Sequence, residues 1–586
     1  MEQQRILLFA SLFFVGYLLW AAWQDQFHPK VPVVASTPAT SVIKGNAKLP
    51  SNDNSQLPAG SDINVNTQLP KSPTIPGASK ADSSMTTLAK GSVLQSGERI
   101  TIKTDTFSID IDLLEGDIRN VDLLKYPVEL EKPDKPIRLL SDSGSLLFVA
   151  QSGFMTLPKS KTSALQVVPS ASSPYTSASS RYDMGSDNQL TVDLNWSSAQ
   201  GIKIIKRYQF QRDSYLIKVK HIVSNQSELD WQGVLRHRLL RGEPTDGNSM
   251  FTGTYSYTGG VIYSDAERYE KYSFSDMADQ DLSRDVTGGW IAMIQHYFLG
   301  AWVPESKLAQ HYYSTKLGQG QFYLGMNSGW VTVAKNAEQE INSQLYLGPK
   351  IQPVLEEISP GLELTVDYTF LTVIAKPLYI ALNFIHSWVG NWGWAIIFLT
   401  ILIKAVFYKL SETQYRSMAN MKRVQPRMAA LKERFEGDRQ GYQKAMMDLY
   451  KKEKFNPMGG CLPMLVQIPV FIALYWVLLE SVEMRQAPFM LWINDLSTKD
   501  PYFVLPIIMG LTMFIQQKLN PTMVDPIQAK VMMMLPFIFT IFFAFFPSGL
   551  VLYWVVNNSL SILQQQYITK IVLENGGSGK SKNKKK

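Results

Sequence analysis

Residues 392–408 read Trp-Gly-Trp-Ala-Ile-Ile-Phe-Leu-Thr-Ile-Leu-Ile-Lys-Ala-Val-Phe-Tyr, an apolar run whose polar side chains are Thr400, Lys404 and the closing Tyr408. Such a run, free of carboxylates, predicts a membrane-spanning helix. Lys404 stands twelve residues past Trp392. At helical rise that is about 18 Å into a hydrocarbon layer about 30 Å thick. The remaining ~12 Å exceeds the comfortable reach of a lysine stem. An unpaired ammonium at that depth costs about 2.5–3.5 kcal/mol, so it needs water, a counter-ion or polar neighbours. A hydrated, polar-lined groove meets that need; so does a lysine snorkelling through a thinned bilayer edge.

Similar runs recur at 462–479, 503–516, 531–546 and 550–562, the last two joined by Pro547-Ser548-Gly549. Near the start, 6–23 is apolar with Trp20 and Trp23 at its exit, and no small-x-small site follows. An uncleaved first span is expected there. Residues 371–389 are apolar too, but Lys376-Pro377 interrupts them and only Gly390-Asn391 parts them from the next run. An amphipathic helix in the outer interface is therefore expected. Arg5, the 409–460 loop with about a dozen Lys and Arg, and the lysines of 580–586 form three basic segments. Six spans place all three in the cytoplasm and 24–389 on the opposite side, whereas counting 371–389 as a span breaks that agreement.

The N-terminal half is different. Residues 24–97 are rich in Ser, Thr, Pro, Asn and Ala, cannot bury enough apolar surface to fold, and read as a tether. From 98 to 366 apolar residues alternate with polar ones: Ile100 and Ile102; Phe107, Ile109, Ile111 and Leu113; Leu190, Val192, Leu194 and Trp196; Tyr215, Ile217 and Val219. That period predicts a large antiparallel two-sheet sandwich. Within the basic loop, Met418, Met421, Met428, Leu431 and Phe435 share one helical face, and Tyr442, Ala445 and Leu449 another, across a Glu436-Gly437-Asp438 turn. A helical hairpin at about 411–455 is predicted, whose basic face is either a docking surface or simply the cytoplasmic charge bias.

Catalytic patterns are poor. The six histidines lack metal-ligand spacing, and Cys461, the only cysteine, behaves as a small hydrophobe. Gly576-Gly-Ser-Gly-Lys-Ser581 lacks the leading glycine of a phosphate loop, Glu574 standing in its place, and reads as tail. His296, among aromatics, reads as a packed structural residue. No catalytic residue, cofactor or metal is expected. Polar residues in or at the ends of the spans are Thr400, Lys404, Gln467, Gln516, Gln517, Asn557 and Asn558. No Asp or Glu lies within the other four C-terminal spans to pair with Lys404. Pro463, Pro469, Pro506 and Pro536 fall in or at the start of spans, where a proline leaves a carbonyl without its partner. A transporter would show paired ionisable groups and internal repeats. A membrane-anchored sugar enzyme would keep its activity without 371–586.

Taken together, Asn456-Pro-Met-Gly-Gly-Cys-Leu-Pro463 running into Gln467-Ile-Pro469, Arg485-Gln-Ala-Pro-Phe489 with Trp492, Asp500-Pro-Tyr502, Phe546-Pro-Ser-Gly-Leu-Val-Leu-Tyr553 and Gly289 to Phe298 resemble the YidC/Oxa/Alb insertases in their long Gram-negative form. The resemblance implies a polytopic α-helical membrane protein with six transmembrane helices, five forming the core. It also implies a periplasmic all-β supersandwich, related to galactose-mutarotase-like folds, and a cytoplasmic helical hairpin. The divisions expected are 1–23 anchor, 24–97 tether, 98–366 β domain, 367–389 interfacial helix, 390–570 core and 571–586 basic tail. By resemblance Lys404 takes the place of a groove residue that is usually Arg, keeping charge but losing the planar fork. Thr400, Gln467, Ile468, Pro469, Tyr553 and Trp554 map onto the family's substrate path, and Gln517 and Asn557 are added as groove polar groups. The implied function is insertion and folding of inner-membrane proteins, alone or with the Sec translocon. The implied partners are nascent membrane proteins, the translating ribosome, the Sec translocon with its accessory subunits, and membrane lipids.

Overall fold

The computed structural model describes residues 94–156, 164–244, 256–305, 308–318, 320–452, 462–520 and 526–578. The expected anchor at 1–23, nearly all of the 24–97 tether, Cys461 and the lysines of 580–586 lie outside the described residues.

Among the described residues from Arg99 to Pro349 the chain is mainly strand, with one short α-helix, α1 (Phe274–Asp279). Alternation drives the build. Ile100, Ile102, Phe107, Ile109, Ile111, Val192, Leu194, Ile217 and Val219 are all buried, while their chain neighbours mostly face outward. Successive side chains on a strand point to opposite faces, so each strand offers one apolar face, and two sheets close on those faces. Ten strands make one sheet. It runs from Ser283–Thr287 through Ala309–Lys316, Gln321–Val333, Trp231–Gly242, Phe148–Met155, Asp117–Pro127 and Phe107–Asp112 to Arg99–Lys103 and Arg181–Asp183, with Pro136–Leu140 paired to Asp117–Pro127. The nine-stranded sheet runs from Arg268–Tyr272 through Gly259–Ser264, Trp290–Ile294, Phe298–Pro304, Ala337–Pro349, Leu216–Asn225 and Ile202–Gln211 to Gln189–Ser197 and Thr176–Ser177. Among these strands only Arg99–Lys103 and Arg181–Asp183 pair in parallel. At Gly289, φ is +87° and a Cβ would collide with the Tyr263 carbonyl, so only glycine makes this turn into Trp290–Ile294. Polar groups are also enclosed. Lys206 is fully buried and donates to the carbonyls of Gly116 (2.8 Å) and Ser152 (2.5 Å), and burial pulls its pKa down to about 8.

The remaining helices are α2 (Gln352–Ile358), α3 (Thr372–Val389), α4 (Trp392–Val406), α5 (Tyr408–Arg434), α6 (Arg439–Lys452), α7 (Leu462–Glu480), α8 (Val504–Leu519), α9 (Pro526–Phe543) and α10 (Ser548–Ser578). Gly390, at φ +66°, ends α3 in the left-handed region, and the Asn391 side chain caps α4 by accepting from the Trp394 amide at 3.1 Å. The expected span 392–408 stops at Val406, and α5 departs at 69°. Among the described helices, Thr369–Val389 is the one long and apolar enough to cross a membrane by itself, although it was expected in the interface. Leu465–Glu480, Val504–Leu519 and Ala529–Phe543 are apolar but shorter. The last helix, by contrast, runs past the expected end at Ile562, because no glycine or proline stands between Ile562 and Gly576. Residues 430–451, the end of α5 and most of α6, belong to a separate unit from the rest of the described chain.

Candidate functional site

Lys404 is buried on α4, one turn past Thr400. Its amine donates to Ser561 Oγ at 2.8 Å, and Ser561 donates onward to the Asn557 carbonyl at 2.7 Å. Asn557 Oδ1 accepts from Gln467 Nε2 of α7 at 3.2 Å. The Gln467 side chain also meets the Tyr553 hydroxyl. Tyr553, Asn557 and Ser561 follow at intervals of four, which stacks them on one face of α10. The outcome is a polar track from Tyr553 through Gln467, Asn557 and Ser561 to Lys404, contributed by α4, α7 and α10. Tyr415 of α5 is buried and lies against Ser561 as well. Among the described residues no carboxylate lies within ion-pair distance of Lys404.

The other residues singled out in the sequence divide between this track and its surroundings. Thr400 is buried but turns its hydroxyl back to the Ile396 carbonyl at 2.7 Å. Pro469 is half-buried, and its missing amide leaves the Leu465 carbonyl without its helical donor. Ile468 is 42% exposed. Trp554 packs against Phe471 (4.8 Å between ring centres) and Phe543 (5.5 Å), and among the described residues its buried Nε1 has no acceptor. Gln517 belongs to a second set. It accepts from Asn520 Nδ2 at 3.4 Å, while Asn520 Oδ1 accepts from Gln565 at 3.0 Å and Asn558 donates to Thr512 at 3.5 Å. This second set joins α8 to another side of α10. Ser561, Gln565, Thr512, Asn520 and Tyr415 were not singled out in the sequence. The four-residue spacing of Tyr553, Asn557 and Ser561 was the available signal for Ser561 and lies within the expected span, whereas Gln565 lies past its expected end at Ile562.

Family models match most of the chain. Residues 99–381 match the YidC periplasmic domain, and residues 384–575 match the 60Kd inner membrane protein. A membrane protein insertase YidC of Methylococcus capsulatus is 48% identical over 98% of this chain and 99% of its own length. The chain belongs to the YidC family. Insertases of the same name from Thioalkalivibrio sulfidiphilus and Pseudomonas putida are 47% and 46% identical, covering 99% and 97% of this chain and 100% and 98% of theirs. The YidC periplasmic match takes in both sheets, and the 60Kd match takes in every residue of the polar track. The architecture is thus that of the YidC family, an inner-membrane protein with an all-β periplasmic domain and a helical C-terminal region.

Proposed function

We propose that this chain inserts and folds other proteins in the inner membrane by partition, without covalent chemistry, along the polar track between Tyr553 and Lys404. The observation that carries the reading is the cross-helix chain of hydrogen bonds ending on a buried ammonium that has no carboxylate partner among the described residues. A lysine amine has three donors and Ser561 takes one, so water or the acidic group of a substrate satisfies the others. A short polar tail exchanging hydrogen bonds with Asn557, Ser561 and Lys404 crosses less hydrocarbon than it would in bare lipid. Meanwhile the substrate's apolar segment leaves along the outward faces of α7 and α9, where Leu465, Ile468, Phe537 and Ile541 are exposed. For an acidic tail moving outward, the membrane potential adds about 2.3 kcal/mol per charge per 100 mV.

In this reading six spans cross the membrane, both termini and the α5–α6 hairpin are cytoplasmic, and α3 lies in the outer interface. Support for the last point comes from its two sides. Lys376 reaches Glu356 (3.4 Å) and Glu363 (3.7 Å), whereas Val373, Ile380, Phe384 and Trp388 form an exposed apolar stripe. The basic hairpin and tail would receive the translating ribosome, and the Sec translocon with its accessory subunits would hand over segments to the same groove. The test is reconstitution. Vesicles holding this chain alone should insert a short-tailed, single-spanning nascent protein that empty vesicles leave outside; equal insertion by both refutes the function.

A further inference from the structure

The last turn of α7 is finished by side chains from the β domain. Glu480, its final residue, is 2% exposed, and Lys350, which follows the strand Ala337–Pro349, reaches it at 3.3 Å while itself 1% exposed. Lys350 also donates to the Thr365 carbonyl at 3.2 Å, and Ser256 donates to the same Glu480 oxygen at 3.4 Å. His296, in the turn between Trp290–Ile294 and Phe298–Pro304, donates from Nε2 to the Leu479 carbonyl at 2.9 Å. Just beyond, Arg485 donates to the Pro127 carbonyl at 2.6 Å, and Gln486 to that carbonyl at 3.0 Å.

A carboxylate at a helix C-terminus faces the negative end of the helix dipole, and one buried there has also lost its water. Glu480 stays charged in that place only with a cation beside it, and the β domain provides one. The last carbonyls of a helix lack intrahelical donors, and His296 provides one of these as well. Gln467, the α7 member of the polar track, lies thirteen residues before Glu480 on the same helix, about 20 Å away at helical rise. A shift or rotation of the capped end is carried along the rod to Gln467.

We propose that Lys350 is a positioning residue for insertion. Its buried ion pair with Glu480 sets the depth and rotation of α7, and so aligns Gln467 with Asn557. The inference rests on the polar track being the substrate path.

The experiment uses the full-length chain in vesicles, with a photo-crosslinker at position 467 and a second preparation carrying it at 554 on α10 as reference. A ribosome-arrested, short-tailed membrane protein is the probe, and protease resistance of the β domain confirms folding. Lys350→Met and Glu480→Gln should each lower the 467-to-554 crosslinking ratio about tenfold, since each leaves a buried charge uncompensated. Exchanging the two charges, Lys350→Glu with Glu480→Lys, should recover the ratio to within about threefold, which loss of general stability does not predict. A folded single variant with the unmodified ratio overturns the inference, as does a folded exchange variant that recovers nothing. Should Lys350→Met not fold, the near-isosteric Glu480→Gln carries the test. Absence of crosslinks at 467 in the otherwise unmodified chain overturns the path reading, and the inference with it, whereas crosslinks there with unaffected variants overturn the ion-pair role alone.

Discussion

Replacing Lys404 isolates the electrostatic part of the proposed mechanism. Its amine holds Ser561 Oγ at 2.8 Å, and among the described residues no carboxylate neutralises it. A substrate carboxylate brought to about 6 Å in surroundings of effective dielectric about 20 gains about 3 kcal/mol, roughly a hundredfold in occupancy. Lys404→Ala should remove that attraction. It leaves the Ser561 hydroxyl bonded to the Asn557 carbonyl, so the fold loses little. Lys404→Arg should keep most of the attraction, because the charge is kept while the hydrogen-bond geometry changes. The assay compares insertion of two substrates that differ only in one acidic residue of the translocated tail, at matched protein levels. Lys404→Ala should slow the acidic substrate by ten- to a hundredfold, after allowance for solvent screening, and the neutral one by less than about threefold. Equal insertion of the acidic substrate by Lys404→Ala and the unmodified chain would refute the reasoning. A loss shared equally by both substrates would assign Lys404 to stability instead.

Three further outcomes follow from other parts of the molecule. His221 and His237 lie buried between the sheets, and burial pushes both imidazoles below their ordinary value, that of His237 to about 3. Their folded pKa values lie below the unfolded one, so this contribution is whole above about pH 6.5 and is lost as the pH falls towards 3. At pH 5 the two together should cost about 4 kcal/mol, measured as hydrogen-exchange protection of Leu216–Asn225 and Trp231–Gly242, and His237→Leu should remove about half of that pH dependence. In a chain with Cys461 replaced, a cysteine at exposed Lys451 should react only with cytoplasmic thiol reagent and one at exposed Ser186 only from the periplasm; reaction of both from one side contradicts six spans. Deleting 579–586, with its lysines, should weaken ribosome binding and flatten its log–log salt dependence by up to about one unit per lysine removed.

The sheets were legible because one physical rule, alternation, applies residue by residue and is local. Ile100, Ile109, Val192 and Val219 went where that rule put them. Lys404 and Gln467 were legible for the opposite reason: a polar group in an apolar run is conspicuous. Ser561 was not, since serine is unremarkable in any helix and its significance lies in a partner 157 residues away. The Lys350–Glu480 pair, 130 residues apart, was hidden in the same manner. Glu480 sits one residue past the expected end of its span and so was passed over, although it serves the β domain and not Lys404. Residues 371–389 show a limit of another kind. Their composition satisfies both a spanning and an interfacial helix; the Lys376-Pro377 break, the placing of the basic segments and the pairing of Lys376 with Glu356 and Glu363 favour the second.

The most direct measurement is a crosslinking scan of α10 against a ribosome-arrested nascent membrane protein. Photo-crosslinkers at Asn557 and Ser561 sample the polar track, and one at Leu563, 62% exposed, samples the outward side of the same helix. As the nascent chain lengthens, its polar tail should crosslink first at 561 and then at 557, with little product at 563. Equal yields at all three positions, or products at 563 alone, would contradict a path through the track.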